Sequence, residues 1–219
     1  MRVVEIFESI DGEGIFTGCP ATFIRLYGCN LHCSYCDSRY ACEGGEFTEM
    51  TIEEVLDKVK GFDHKHVTLT GGEPLIHTGV LQLIQALMRA KFYVNVETDG
   101  AVDIFPYRIT CNPRNLIFTL DYKCPSSGME DRMILSNLKL LREQDVLKFV
   151  VGSQEDLEAA NNIIHKYQLQ GYCNIFISPV FGKIEPVEIV NYILKNHLEG
   201  VRVQLQMHKF IWNPDERGV

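Results

Sequence analysis

Cys29-Asn30-Leu31-His32-Cys33-Ser34-Tyr35-Cys36-Asp37-Ser38 sets three cysteines at C-x3-C-x2-C spacing. Thiolates suit soft centres, iron–sulfur clusters and zinc above all. A closed electron-transfer cluster takes four cysteines. Three local thiolates would leave one iron of a 4Fe–4S cube without a protein ligand. An open metal position is where a small molecule coordinates, by the logic that separates catalytic from structural zinc sites. The spacing alone leaves three readings: an open cluster, a zinc knob, or unrelated buried thiols. Asp37 and Ser38 add oxygen ligands for a hard cation, or else a turn or helix cap.

The chain around this stretch has 219 residues, 46% of them apolar, and a net charge of −8. That length suits one domain with a substantial core. The acidic balance argues against generic nucleic-acid binding, which needs a basic footprint. Eight cysteines would mark a secreted scaffold only in a much shorter chain. No signal peptide and no run of membrane-span length is expected, because Met1-Arg2-Val3-Val4-Glu5 reaches an acid before any apolar stretch develops. A reducing cytoplasm follows as the expected compartment. Cys19, Cys42, Cys111, Cys124 and Cys173 lack the tight spacing and read as buried small side chains. Cys42 alone lies close enough to complete a four-thiolate site.

Strands and helices alternate along the rest. Ile6 to Gly14 reads as a short strand entering a glycine-bounded loop, and Ala21 to Tyr27 as a buried strand interrupted by Arg25. A guanidinium there needs a partner, either an internal Glu5 or Glu8 or a ligand carboxylate. Thr51-Ile52-Glu53-Glu54 is a capping box opening a helix that stops near Gly61. Strands follow at His66 to Thr70, Phe92 to Val96, Leu116 to Leu120, Val146 to Val151, Asn174 to Ser178 and Val201 to Gln206. Helices are expected at Leu75 to Ala90, Asp131 to Arg142, Gln154 to Tyr167 and Pro186 to Asn196. Ala101 to Asn115 has no helical period, so one crossover helix should be missing or degenerate. Gly71-Gly72-Glu73-Pro74 turns from strand to helix without the lysine and hydroxyl of a phosphate loop. The tail Gln206 to Trp212 is too apolar for a free end.

Alternation of this kind implies a mostly parallel sheet covered by helices. A full (β/α)8 barrel takes about 250 residues, so an incomplete, laterally open barrel of about six parallel strands is the expected α/β fold, formed by residues 1–219 as one domain. The motifs all follow strands, at the C-terminal mouth where such folds place their sites.

The cysteine spacing together with Thr70-Gly71-Gly72-Glu73-Pro74 resembles the radical S-adenosylmethionine (SAM) enzymes. Within them, Ile10-Asp11-Gly12-Glu13-Gly14, Phe23-Ile24-Arg25-Leu26 and Cys36-Asp37-Ser38 resemble the 7-carboxy-7-deazaguanine synthases of the queuosine pathway. The resemblance runs from about Ile6 to the last residues. It implies a 4Fe–4S cluster on Cys29, Cys33 and Cys36, with SAM on the open iron and Mg²⁺ on Ser38, where the family usually has threonine. SAM contacts carry over to Gly72, Glu73, Glu97, Asp121, Tyr122, Lys123, Ser178, Pro179, Val180 and Phe181. Asp121 and Tyr122 depart from the family's Ser-Pro, and Lys123 is otherwise an ordinary loop lysine. Substrate contacts carry over to Ile10, Asp11, Gly12, Glu13, Arg25, Thr70 and His208. Asp11 replaces a common glutamine, which puts its side chain's role in doubt, and His208 equally suits a packed position under the tail.

The implied reaction converts 6-carboxy-5,6,7,8-tetrahydropterin to 7-carboxy-7-deazaguanine with loss of ammonia. A radical from SAM takes hydrogen from C6, and SAM is regenerated. The family also implies a homodimer and an electron donor such as flavodoxin or ferredoxin, with no nucleic-acid or membrane partner. A glycyl-radical-activating enzyme would share the cysteines but has no need of Asp11-Gly12-Glu13-Gly14. A non-enzymatic zinc or iron–sulfur module would recruit Cys42 and leave Gly71-Gly72-Glu73 unexplained.

Overall fold

The structure, a computed structural model, describes residues 1–214 and 216–219. Its strands in chain order are β1 (Arg2–Ile10), β2 (Pro20–Leu26), β3 (Thr48–Glu49), β4 (His66–Gly71), β5 (Tyr93–Thr98), β6 (Leu116–Lys123), β7 (Val146–Val151), β8 (Asn174–Pro179) and β9 (Val201–Val203). The helices are α1 (Arg39–Cys42), α2 (Ile52–Lys60), α3 (Val80–Arg89), α4 (Phe105–Thr110), α5 (Gln154–Lys166), α6 (Pro186–Lys195) and α7 (His208–Ile211). One sheet runs β3-β1-β2-β4-β5-β6-β7-β8-β9. β1 is antiparallel to β2 and β3, and every pairing from β2 to β9 is parallel. The two edges do not pair, so the curved sheet is an open partial barrel. The parallel run comprises six full strands, β2 and β4 to β8, and the three-residue β9.

Alternation along the strands sorts the side chains into two populations, because successive residues face opposite sides. On β6, Leu116, Phe118, Leu120 and Tyr122 join the apolar layer beneath the helices, as do Leu147, Phe149 and Val151 of β7. The intervening Thr119, Asp121, Lys123, Lys148 and Val150 face a cavity. Helices complete the apolar layer, with Val55 and Val59 of α2, Leu83, Ile84 and Leu87 of α3, and Leu157, Ala160 and Ile164 of α5. Each fully buried side chain of this size contributes about 1.5–3 kcal/mol. The core thus lies between sheet and helices, and the barrel interior mixes charged and polar side chains with apolar ones such as Phe7, Phe23 and Val150.

Several expected elements change for identifiable reasons. The capping box forms as expected, with Glu54 N donating to Thr51 Oγ1 and Thr51 N to Glu54 Oε2. The helix expected from Leu75 is split: a 3-10 turn spans Pro74–Ile76, and Gly79, at φ +88°, opens α3. The degenerate crossover holds only the six-residue α4. Asp131 to Arg142 is not α-helical but carries 3-10 turns at Glu130–Arg132 and Leu135–Leu140. There the fully buried Asn137 side chain bonds Ile104 N, Gly100 O and Val102 O, so tertiary hydrogen bonds replace a helical ladder. β6 continues to Lys123 because β7 pairs with it through Lys123↔Val150. β9 stops at Val203 because the Gln204 side chain bonds both backbone groups of Gly14 and the Thr17 hydroxyl.

Candidate functional site

The cavity has a volume of about 850 Å³, at the upper end of the roughly 300–1,000 Å³ typical of ligand pockets. Cys29, Cys33 and Cys36 all open onto it, from the loop between β2 and α1. Leu31 N donates to Cys29 Sγ at 3.4 Å, a bond suited to a ligating sulfur. Burial pushes the Cys33 thiol up to about 11. Contact with Cys42 draws the Cys36 thiol down, the two sulfurs lying 3.8 Å apart. Among the described residues no three His, Cys, Asp or Glu side chains converge as they would around a single ion. A 4Fe–4S cube makes no such demand, because each thiolate takes a different iron, and the three cavity-facing thiols fit it.

The Gly71-Gly72 turn ends β4 directly against this loop. Gly72 N donates to Leu26 O at 3.1 Å and Glu73 N to Gly28 O at 2.8 Å. A Cβ on Gly72 would lie 2.3 Å from Gly28 O and 2.9 Å from Cys29 Cβ. Only glycine permits this approach, which seats a bare backbone turn beside Cys29. Glu73 does not face the cavity. It is fully buried behind the turn, accepting from Leu75 N, Thr98 Oγ1 and Asp99 N, and burial with neighbouring Asp99 holds its carboxyl well above the usual range. Its role is to fix the turn.

Of the other expected SAM contacts, Glu97, Asp121, Lys123, Val180 and Phe181 line the cavity. Tyr122 does not: the pleat turns it to the outer layer, against Phe149, with its hydroxyl donating to Glu130. Ser178 and Pro179 are also off the cavity wall, and the fully buried Ser178 hydroxyl has no hydrogen-bond partner among the described residues. Lys123 Nζ donates to Asp121 Oδ2 at 2.8 Å. Burial opposes the Lys123 charge, but Asp121 more than offsets it and holds the ammonium well above its usual range.

Ile10, Gly12, Glu13, Arg25, Thr70 and His208 line the same cavity. Asp11 stands behind the wall, 2% exposed, with Oδ1 accepting from Thr68 Oγ1 at 2.7 Å and Oδ2 without a hydrogen-bond partner among the described residues. Burial raises its carboxyl to about 7 in spite of the Thr68 bond. Arg25 meets the internal partner open to it from the sequence: its Nε donates to Glu5 Oε1 at 2.7 Å. The Glu97 carboxyl is raised by burial, against the pull of Lys148 and a hydrogen bond from Thr70.

Lys148 escaped the sequence reading. It lies on β7, its Nζ 2.8 Å from Glu13 Oε2 and 3.7 Å from Asp121 Oδ2. Gln206 Nε2 donates to the other Glu13 oxygen at 2.5 Å. Burial penalises the Glu13 charge, yet Lys148 outweighs it and the carboxyl is lowered. A signal was present, one lysine in the otherwise apolar run Val146-Leu147-Lys148-Phe149-Val150-Val151.

The tail closes over this wall. Met207 N donates to Gly12 O at 3.0 Å, and the His208 ring packs so tightly on Gly12 that a Cβ there would sit 2.2 Å from Nδ1. Lys209 Nζ donates to Asp37 Oδ2 at 3.1 Å, next to Ser38, whose hydroxyl donates to Asp37 Oδ1. Phe210 meets Phe181 edge-on, although Phe210 and Ile211 keep more than half their surface exposed.

Residues 23–116 match the Radical SAM superfamily. The whole chain is 46% identical to 7-carboxy-7-deazaguanine synthase of Clostridium acetobutylicum, covering 99% of that protein. It is 41% identical to the enzyme of the same name from Chlorobaculum tepidum, again over the whole chain and covering 97% of the relative. Among solved structures, QueE from Escherichia coli superposes with a TM-score of 0.76 at 26% identity, covering 94% of both chains.

Proposed function

The chain belongs to the 7-carboxy-7-deazaguanine synthase family of radical SAM enzymes, and from that membership we propose how its site is arranged for work. It converts 6-carboxy-5,6,7,8-tetrahydropterin to 7-carboxy-7-deazaguanine with loss of ammonia, in queuosine biosynthesis. The observation that carries the arrangement is that the three cysteines, the Gly72 turn, Lys123, Glu13 and Arg25 all face one cavity.

When bound, the 4Fe–4S cluster and SAM supply reductive carbon–sulfur cleavage and hydrogen abstraction at C6 of the pterin. Cys29, Cys33 and Cys36 would hold three of the cluster's irons. The Gly72 turn receives the methionine amino end of SAM and Lys123 its carboxylate, for which Asp121 now competes. Glu97 takes ribose hydroxyls, and Val180 and Phe181 cover the nucleoside. On the substrate side, Glu13 accepts from the aminopyrimidine edge and Lys148 keeps it ionised. Arg25, its Nε held by Glu5, offers its remaining donors to the C6 carboxylate. Ile10, Gly12, Thr70 and His208 enclose the ring.

Ser38 would hold Mg²⁺, which would help orient the substrate, and completes the proposal. So do a single domain over residues 1–219, a homodimer, a flavodoxin or ferredoxin as electron donor, a cytoplasmic location, and no nucleic-acid or membrane partner. Among the described residues no helix is long and apolar enough to cross a membrane.

Anaerobic incubation with the tetrahydropterin, SAM and a reductant tests the reading. Several 7-carboxy-7-deazaguanine molecules should form per SAM supplied. No deazaguanine, with a radical installed on a glycine-containing partner protein instead, would replace this function with that of an activase.

A further inference from the structure

Cys42 lies outside the C-x3-C-x2-C set, yet it opens onto the same cavity. It closes the single turn of α1, and Ala41 before it is fully buried, its carbonyl accepting from Gly28 N at 2.7 Å. This anchor holds the Cys42 sulfur 3.8 Å from Cys36 Sγ and 3.6 Å from Ser38 O. Two sulfurs in van der Waals contact need to close by less than 2 Å to reach the disulfide length of about 2.05 Å. The Cys42 sulfur is also in contact with Cys29.

We propose that Cys42 is a resolving thiol for Cys36, a modification site that preserves this cluster ligand when the cluster is lost to oxidation. The inference rests on the reading of Cys36 as a ligand. Once no iron holds it, the Cys36 thiolate is open to a hydroperoxide entering the cavity and has the Cys42 sulfur beside it. It attacks one peroxide oxygen, the O–O bond breaks, and the departing hydroxide takes a proton to become water. Cys36 is left as a sulfenic acid. The Cys42 sulfur then attacks the Cys36 sulfur, the S–O bond breaks, and the hydroxide leaves with the Cys42 proton as a second water. Two thiols have given two electrons to one peroxide. The disulfide is recovered by any dithiol, whereas a second peroxide would carry an unprotected sulfenic acid to sulfinic acid, which is irreversible here. Cys42 therefore separates a repairable loss of cluster from a permanent one.

The test compares wild type and Cys42→Ser, each loaded with cluster and each stripped by a chelator under anaerobic conditions. All four are treated with hydrogen peroxide, alkylated and digested with trypsin. Trypsin cuts after Arg39, so a Cys36–Cys42 link appears as two joined peptides that part on reduction. Stripped wild type should show that pair and regain its iron and sulfide after dithiothreitol and reconstitution. Stripped Cys42→Ser should carry Cys36 two oxygens heavier and fail to reload. Cys36 sulfinic acid accumulating equally in both proteins, Cys36 linked to Cys29 or Cys33, or fragmentation of the joined peptides placing the link at Cys29 instead of Cys36, would overturn the proposal. Equal linkage in loaded wild type would overturn the reading of Cys36 as a ligand, and the protective role with it. Iron content of freshly prepared Cys36→Ala distinguishes the two failures.

Discussion

Lys148 Nζ lies 2.8 Å from Glu13 Oε2, so a cation from the middle of β7 and a carboxylate from the loop after β1 meet across the cavity. Both are nearly buried, and breaking such a pair costs about 3–5 kcal/mol because a charge is left unpaired. Lys148→Met should lower stability by that order in urea denaturation at pH 7, and Glu13→Gln in the same chain should recover part of the loss. The Glu13 carboxyl is lowered in the folded protein. Its contribution is therefore present above its unfolded value, near 4.3, and is lost as pH falls through the folded value. The gap between wild type and Lys148→Met should narrow below about pH 4. A constant gap from pH 7 to pH 3 would show that the pair carries no linked stability.

Asp11 runs the other way. Its carboxyl is raised to about 7 in the folded state, so it favours folding at low pH and loses that advantage as pH rises from about 4 to 7. Asp11→Asn keeps an acceptor for Thr68 and removes the titration. The variant should exceed wild type by about 2–4 kcal/mol at pH 8, with little difference at pH 4.5. Parallel denaturation curves at every pH would count against a buried titrating carboxyl.

Gly12 and His208 occupy the same small space. Gly12→Ala should displace the His208 ring and lower kcat/KM about 100-fold, the scale of a 1 Å misplacement, with cluster content unchanged. Adding His208→Ala should cost little more, because the overlap is already relieved. Strictly multiplicative losses would mean that the two act independently.

Ser38 offers one neutral oxygen. Mg²⁺ should bind weakly until substrate is present. Ser38→Ala should abolish Mg²⁺ stimulation of turnover while leaving SAM binding intact, and Ser38→Thr should be nearly silent. Equal turnover of Ser38→Ala with and without Mg²⁺, at the wild-type rate, would remove the ion from Ser38.

The strands and the cysteine loop were legible because their signals are local: apolar runs, a capping box, tight thiol spacing. Phe92 to Val96 differs from β5 only at its ends. What sequence missed depends on the sheet's pleat and on contacts between distant segments. Tyr122 sits between two cavity residues yet faces outward. Glu73 follows the Gly71-Gly72 turn yet points behind it, held by Thr98 and Asp99. Asn137 draws its segment out of helix through bonds to residues over 30 positions away. Lys148 gains meaning only when Glu13, 135 positions earlier, arrives beside it.

The division of the sheet into a face lining the cavity and an apolar face under the helices has an evolutionary consequence. Inner positions such as Thr70, Glu97, Thr119 and Asp121 border the cavity, whereas most of the apolar packing lies on the other side of the same strands. Away from buried pairs such as Lys148–Glu13, change on one face is therefore largely invisible to the other. A lineage can exchange one heterocycle for another by altering alternate residues, while the intervening ones continue to be selected only for volume.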